Sequence, residues 1–275
     1  MIPASFEYRR AGSVEEALGW LAEDPDSTKL LAGGHSLLPL MKLRLATPAV
    51  LVDVGRVPGL SYVRDDGDHV AVGALTRHRD LEVSDVAREH VPLLAHVAGQ
   101  VGDPQVRHRG TIGGSLAHGD PASDLPAAVL ALDGTLVVYG PRGRREVPAA
   151  DFFCGFLETA VAPDEMLTEI RVRKAPRGWA FQKFNRRAQD WAIVGVAAVV
   201  NGDARVALVN MGATTVRAHG TEEALASGAG AAEAAARAAD GLEPPTDLHA
   251  SAEYRRHLAT VLVRRALEEA TAARG

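Results

Sequence analysis

The stretch Lys29–Leu45, KLLAGGHSLLPLMKLRL, decides how the chain is read. A short apolar run, Leu30-Leu31-Ala32, meets Gly33 and Gly34, then His35 and Ser36, then a second apolar segment. Lys29 to Ala32 suits a short buried strand, and the paired glycines suit a sharp turn where no Cβ hinders a ligand's approach. Peptide N–H groups in such a turn, at the mouth of a helix, attract phosphate oxygens. Pro39 fits the first turn of that helix, where its missing N–H has no partner to lose. Alone, Gly-Gly-His-Ser is an ordinary turn, and only a second element gives it a function.

That element begins about eighty residues on, in GTIGGSLAHGDPASDLPAAVLAL from Gly110 to Leu132. Each glycine run carries small hydroxyl side chains, Ser36 in the first and Thr111 and Ser115 in the second. A diphosphate has two charged groups, so two separate backbone cradles match it. Neither run has the spacing G-x-G-x-x-G or G-x-x-x-x-G-K-[ST], which disfavours a Rossmann dinucleotide fold and a P-loop ATPase. Ser36 is not a nucleophile elbow, because G-x-S-x-G needs glycine where Leu38 stands. His35, His108 and His118 lack the spacing of a metal site. Asp124, ahead of Pro126 and an apolar run, reads as a helix cap.

The chain of 275 residues is long enough for one large core or two moderate ones, with two the expectation. A net charge of −5 without a long basic run argues against nucleic acid and anionic membranes as partners. The apolar segments are too short to span a bilayer, and the N-terminal residues lack an apolar signal core, so the expected location is the cytoplasm. A single cysteine, Cys154, excludes an internal disulfide and any cysteine-rich metal or iron–sulfur cluster within this chain. Cys154 itself reads as a small buried hydrophobe.

Residues 1 to about 57 alternate strand and helix. Ser13 and Glu16 form a capping box, and Ala49–Val54 is a strand. Next come a hairpin of Leu60–Val63 with Val70–Gly73, a helix capped by Thr76 through Leu81, and a helix over Pro92–Val101. Thr135–Tyr139 and Arg144–Val147 alternate as a further hairpin, and Leu167–Val172 is a strand. Ala175-Pro176-Arg177-Gly178 marks a boundary. Beyond it, Trp179–Phe184, Ile193–Val200 and Ala204–Gly212 read as antiparallel strands, followed by helices over Thr221–Ala226, Ala229–Ala239 and Glu253–Ala273. In the last helix Leu258, Val261, Leu262, Ala266 and Leu267 make an apolar face, and Arg255, Arg256, Arg264 and Arg265 make a solvated one.

At 32–46, AGGHSLLPLMKLRLA resembles the first flavin-binding motif of the FAD subunits of molybdenum hydroxylases, the family of carbon monoxide and xanthine dehydrogenases. At 111–127, TIGGSLAHGDPASDLPA resembles the second. The likeness continues in order through APDEMLTEIRV at 162–172, QKFNRRAQDWAIVGVA at 182–197 and SAEYRRHLATVLVRRAL at 251–267. It implies an α+β fold: a two-part FAD-binding domain of the vanillyl-alcohol-oxidase-like (PCMH) type over 1–175, with subdomains of about 1–57 and 58–175. An α+β C-terminal domain of the carbon monoxide dehydrogenase flavoprotein kind follows over 176–275. By the resemblance, Ala32, Gly33, Gly34, His35, Ser36 and Leu37 wrap the FAD diphosphate together with Thr111, Ile112, Gly113, Gly114 and Ser115. Asp124 and Lys183 contact the cofactor, Leu167 lies on its adenine side, and Trp191 lies near the flavin ring, where its π face suits it.

The resemblance also implies partners, a molybdenum–pterin large subunit and a small subunit with two two-iron two-sulfur clusters. Electrons then pass from the clusters through FAD to quinone, NAD or oxygen. It implies no catalytic side chain and no metal in this chain. The alternative is a stand-alone FAD oxidase or dehydrogenase acting directly on a small molecule. Two departures stand out: Ser115 and Gly119 occupy positions where the family often has Asn and Ala, and VNMGATT at 209–215 lacks the family's glycine–proline pattern.

Overall fold

The computed structural model describes residues 2–274. The chain starts with β1 (Glu7–Arg10), α1 (Val14–Glu23), β2 (Thr28–Leu31), α2 (Leu37–Lys42) and β3 (Val50–Asp53). The three strands lie parallel in the order β1-β3-β2, the arrangement that strand–helix alternation produces. Ser13 caps α1 by accepting from the Glu16 N–H at 3.1 Å. The Glu16 carboxylate reaches back to the Gly12 N–H at 2.6 Å, one residue earlier than in the usual capping box.

A second layer begins with β4 (Val63–Asp66) and β5 (His69–Gly73), then α3 (His78–Val83), α4 (Asp85–His90), α5 (Pro92–Gln100), α6 (Pro104–Arg107), α7 (Ile112–His118) and α8 (Asp124–Ala131). It continues through β6 (Thr135–Gly140), β7 (Gly143–Pro148), α9 (Ala149–Phe152), the short pair β8 (Phe153–Gly155) and β9 (Glu158–Thr159), and β10 (Met166–Arg173). The antiparallel sheet runs β4-β5-β10-β6-β7. The first hairpin lies three residues later on its leading strand than the sequence suggests. Gly67, at φ +80°, makes the turn with Asp68, while Asp65 and Asp66 stay in the strand. There the Asp66 carboxylate pairs with Arg64 and the Asp65 carboxylate with Lys174. Thr76 caps nothing; its hydroxyl donates to the Tyr62 carbonyl at 2.9 Å, and the helix starts at His78.

The C-terminal part comprises β11 (Trp179–Phe184), β12 (Val194–Asn201), β13 (Asp203–Val209), β14 (Val216–Arg217), α10 (His219–Ala226), α11 (Ala231–Ala236) and α12 (Ala252–Ala272). Its sheet, β11-β12-β13-β14, is antiparallel. Along β12 the period of two sends Val196 and Ala198 into a core with α12, and Ala197 and Val199 into the core of the preceding layer. Between β12, β13 and α5 lies α8, whose residues are buried from Asp124 to Ala131. Its all-apolar sequence after Asp124 is what such a position requires.

Two side chains depart from their sequence reading. Arg255 is fully buried instead of lying on a solvated face. Its guanidinium donates to the carbonyls of Pro245 and Ile193 and to the Asp247 carboxylate, which satisfies the charge it brings inside. Cys154 is exposed, on the short two-stranded hairpin of β8 and β9.

Candidate cofactor site

A cleft of about 740 Å³ opens where the three parts of the chain meet. β2 delivers its first wall. After Leu31 the chain turns through Gly33 and Gly34, the latter at φ +78°, and enters α2. Side-chain-free geometry is obligatory at Gly33, because a Cβ there would stand 2.4 Å from the Arg109 carbonyl oxygen. The first glycine loop therefore rests directly on the chain entering the second motif. Among the described residues, the N–H groups of Gly33, Gly34, His35 and Ser36 make no backbone hydrogen bond, which leaves four donors at the cleft wall.

The second motif is a helix, not an open turn. Thr111 caps α7 by accepting from the Gly114 N–H at 3.2 Å. The amides of Ile112 and Gly113 donate to the carbonyls of Thr76 and Ala74, and that of Ser115 to Thr111. Gly113 is needed for packing, since a Cβ would stand 2.5 Å from that of Ala74. Two equal backbone cradles are therefore not what the structure provides. The first loop offers free amides, whereas the second offers a helix start and the side chains of Thr111 and Ser115.

Deeper in the cleft, Lys183 of β11 reaches the first residue of α8. Its ammonium lies 2.6 Å from Asp124 Oδ2 and donates also to the Gln100 carbonyl at 3.2 Å. Burial pushes the Asp124 carboxyl up to about 6, against the opposing pull of Lys183. Oδ1 of Asp124 is sealed from solvent and has no partner. Asp124 is thus not the helix cap: Ser123 occupies the cap position, and the carboxylate points to Lys183 and the cleft.

Of the residues expected at the site, Ala32 to Leu37, Thr111, Gly113, Gly114, Ser115, Asp124, Leu167, Lys183 and Trp191 all line this one cleft. Ile112 does not; its side chain is fully buried in the core beneath α7. Trp191 stands at the mouth, 59% exposed, and lines a second hollow on its other side.

Sequence reasoning missed two parts of the wall. His78 lies under the loops, its ring against Gly110, with Nδ1 buried and unpartnered. Burial, with smaller effects of His35 and Arg107, holds this imidazole down at about 4, so it is neutral at pH 7. Nothing in the sequence marks it. The β8–β9 hairpin adds Leu157, Glu158 and Thr159. Leu157 sits at φ +58°, unusual for a bulky side chain, and Gly-Phe-Leu-Glu gives no Asn-Gly signal for such a turn.

The cleft suits FAD in chemistry and in size. Four free amides match phosphate oxygens, the unpartnered Asp124 Oδ1 matches a hydroxyl donor, and the apolar wall, including Leu167 and Met166, matches a planar ring.

Comparison with known proteins agrees. Residues 4–174 match the family described as FAD binding domain in molybdopterin dehydrogenase, and residues 179–270 match the CO dehydrogenase flavoprotein C-terminal domain. The chain is 43% identical to the carbon monoxide dehydrogenase medium chain of Hydrogenophaga pseudoflava, over 99% of both chains. It is 39% identical to the nicotine 6-hydroxylase medium subunit of Paenarthrobacter nicotinovorans, over 98% of this chain and 99% of that one. Its fold superposes on a chain of the H. pseudoflava carbon monoxide dehydrogenase lacking the Mo-pyranopterin moiety, with a TM-score of 0.95, 44% identity and full coverage of both. With quinoline 2-oxidoreductase from Pseudomonas putida 86 the TM-score is 0.92 at 33% identity, again over the whole of both chains. This chain belongs to the FAD-binding oxidoreductase subunits of the molybdopterin dehydrogenase family, with the C-terminal domain of the CO dehydrogenase flavoproteins.

Proposed function

We propose that this chain is the FAD-carrying subunit of a multi-subunit molybdenum hydroxylase, taking electrons from the two-iron two-sulfur clusters of a small partner subunit and passing them to an external acceptor. The observation that carries the reading is the end-to-end match with medium subunits whose complexes are named for substrates as unlike as carbon monoxide and nicotine. A subunit shared in form across such substrates does not choose among them. Substrate oxidation is therefore assigned to a molybdenum–pterin partner.

Bound FAD supplies the capacity to accept and release electrons. The chain's own residues bind and orient it. The amides of Gly33 to Ser36 hold the diphosphate, with hydroxyls from Thr111 and Ser115. Asp124, kept in place by Lys183, accepts a hydroxyl of the cofactor; Leu167 gives an apolar surface to the adenine side; Trp191 lies beside the flavin ring. The division between the cofactor part and the C-terminal part falls at Ala175–Gly178.

The test is to purify the chain without and with its co-expressed neighbours and record the visible spectrum and FAD titration. Stoichiometric flavin, and co-purification with a cysteine-rich subunit and a molybdenum subunit, is the expected result. Failure to bind flavin sinks the cofactor assignment. Turnover of an organic substrate by the isolated chain, with no molybdenum partner, establishes the stand-alone oxidase instead.

A further inference from the structure

Trp191 is largely exposed and has no aromatic or cation–π partner among the described residues. The anchors are on the backbone that follows it. The segment 185–192 is a loop closed at its neck, where the Ile193 N–H donates to the Phe184 carbonyl at 2.8 Å. The carbonyl of Ala192 accepts from the Asn210 side-chain amide at 2.9 Å, and the next carbonyl, of Ile193, accepts from the buried Arg255 guanidinium. Two consecutive carbonyls are thus held by side chains from two places, Asn210 just after β13 and Arg255 in α12.

Asn210 does a second thing. Its own N–H donates to the Pro121 carbonyl at 2.8 Å, in the short segment between α7 and α8. That segment joins the second cofactor motif to Asp124. One residue therefore grips both the end of the Trp191 loop, at Ala192, and the backbone leading from Ser115 to Asp124. It does so at φ +61°, a left-handed conformation that Asn tolerates better than most residues.

We propose that Asn210 is a positioning residue that, with Arg255, sets the place of Trp191 at the mouth of the cofactor cleft and ties it to the second cofactor motif across the domain boundary. The inference rests on the reading of Trp191 as a flavin neighbour only for its functional consequence; the anchor itself stands on the hydrogen bonds.

The experiment uses the full-length chain carrying Asn210→Gly or Asn210→Asp. Glycine keeps the left-handed backbone and removes the amide, and Asp keeps the size but sets an acceptor against the Ala192 carbonyl. The loop contains its own reporter, because Arg186 and Arg187 are exposed and trypsin cleaves after arginine. Both variants are expected to be cut there about 5- to 10-fold faster, the ratio that follows from losing one hydrogen bond, with little change in thermal midpoint. Emission of bound flavin, quenched by a neighbouring indole, is expected to rise in the same variants and in Trp191→Phe. Unchanged cleavage in both Asn210 variants overturns the proposal. Faster cleavage with flavin emission unaltered in Trp191→Phe upholds the anchor and removes Trp191 from the flavin's side. If Asn210→Gly does not fold, Asn210→Asp carries the same two readouts.

Discussion

Asp124 and Lys183 meet at 2.6 Å inside the cleft, although 59 residues separate them and both side chains are less than one-tenth exposed. The pair joins α8 of the cofactor part to β11 of the C-terminal part. Removing one member of a buried pair leaves an uncompensated charge, which is far worse than removing both. Lys183→Met is therefore expected to destabilise the chain by about 3–5 kcal/mol, less where Asp124 relieves itself by taking up a proton. Urea unfolding at neutral and mildly acidic pH measures both effects. Flavin content is expected to drop in parallel.

The titration of the cleft carries a sign that can be checked. Asp124 is raised from 3.8 to about 6, so between those values the folded chain holds a proton that the unfolded chain has released. Its contribution to stability falls as pH rises through that window. His78 is lowered from 6.5 to about 4, so there the unfolded chain holds the extra proton and its contribution rises with pH. The two oppose each other between about 4 and 6. Asp124→Asn is expected to make stability climb more steeply with pH than in the wild type, and His78→Gln to make it climb less. Urea midpoints across that range decide; identical slopes in all three proteins contradict the assignment.

Gly33 and Gly114 differ in what a methyl group would meet. At Gly33 it strikes Arg109 and Gly110 backbone, whereas at Gly114 it meets only the Thr111 hydroxyl at 2.8 Å. Gly33→Ala is expected to cost about 1–3 kcal/mol and most of the bound flavin. Gly114→Ala is expected to cost about 1 kcal/mol, as the Thr111 cap is disturbed. Flavin-to-protein ratio and thermal midpoint separate the two.

Arginines of α12 are unequal. Arg255→Met leaves three acceptors without their donor and is expected to cost about 3 kcal/mol or more, while Arg256→Ala and Arg264→Ala stay within about 0.5 kcal/mol. Denaturant midpoints for the three variants provide the comparison.

Cys154 gives the quickest check. As an exposed thiol it is expected to react with a disulfide reagent in native buffer at one equivalent per chain, and Cys154→Ser to shift stability by less than about 0.5 kcal/mol.

What the sequence disclosed follows from the range of the forces involved. Local signals carried the elements: the Ser13–Glu16 cap, the apolar runs of β2 and β3, the turn that pairs β6 with β7 and the period of α12 all form where neighbours in sequence decide, although neither β6 nor β7 alternates in burial as expected. The glycine motifs were legible because glycine is the residue that backbone contact demands, as Gly33 and Gly113 show. Long-range choices were not legible. Arg255 has the chemistry of a surface residue, and the carbonyls of Pro245 and Ile193 together with the Asp247 carboxylate, delivered by other parts of the chain, make its burial tolerable. Likewise His78 enters the cleft wall because Gly110 lies over its ring, a contact with no trace in local spacing.

The two-faced strand β12 bears on how the molecule can be divided. Ala197 and Val199 belong to one core with α5 and α8, while Val196 and Ala198 belong to another with α12. A chain cut after residue 175 would leave α5 and α8 with a bare apolar side, the kind of surface that drives self-association. Light scattering of such a fragment should report aggregates, and the intact chain should melt in one transition. The two halves, separable as stretches of sequence, are expected to melt as one unit, so loss of the C-terminal helices is expected to weaken the glycine loops as well.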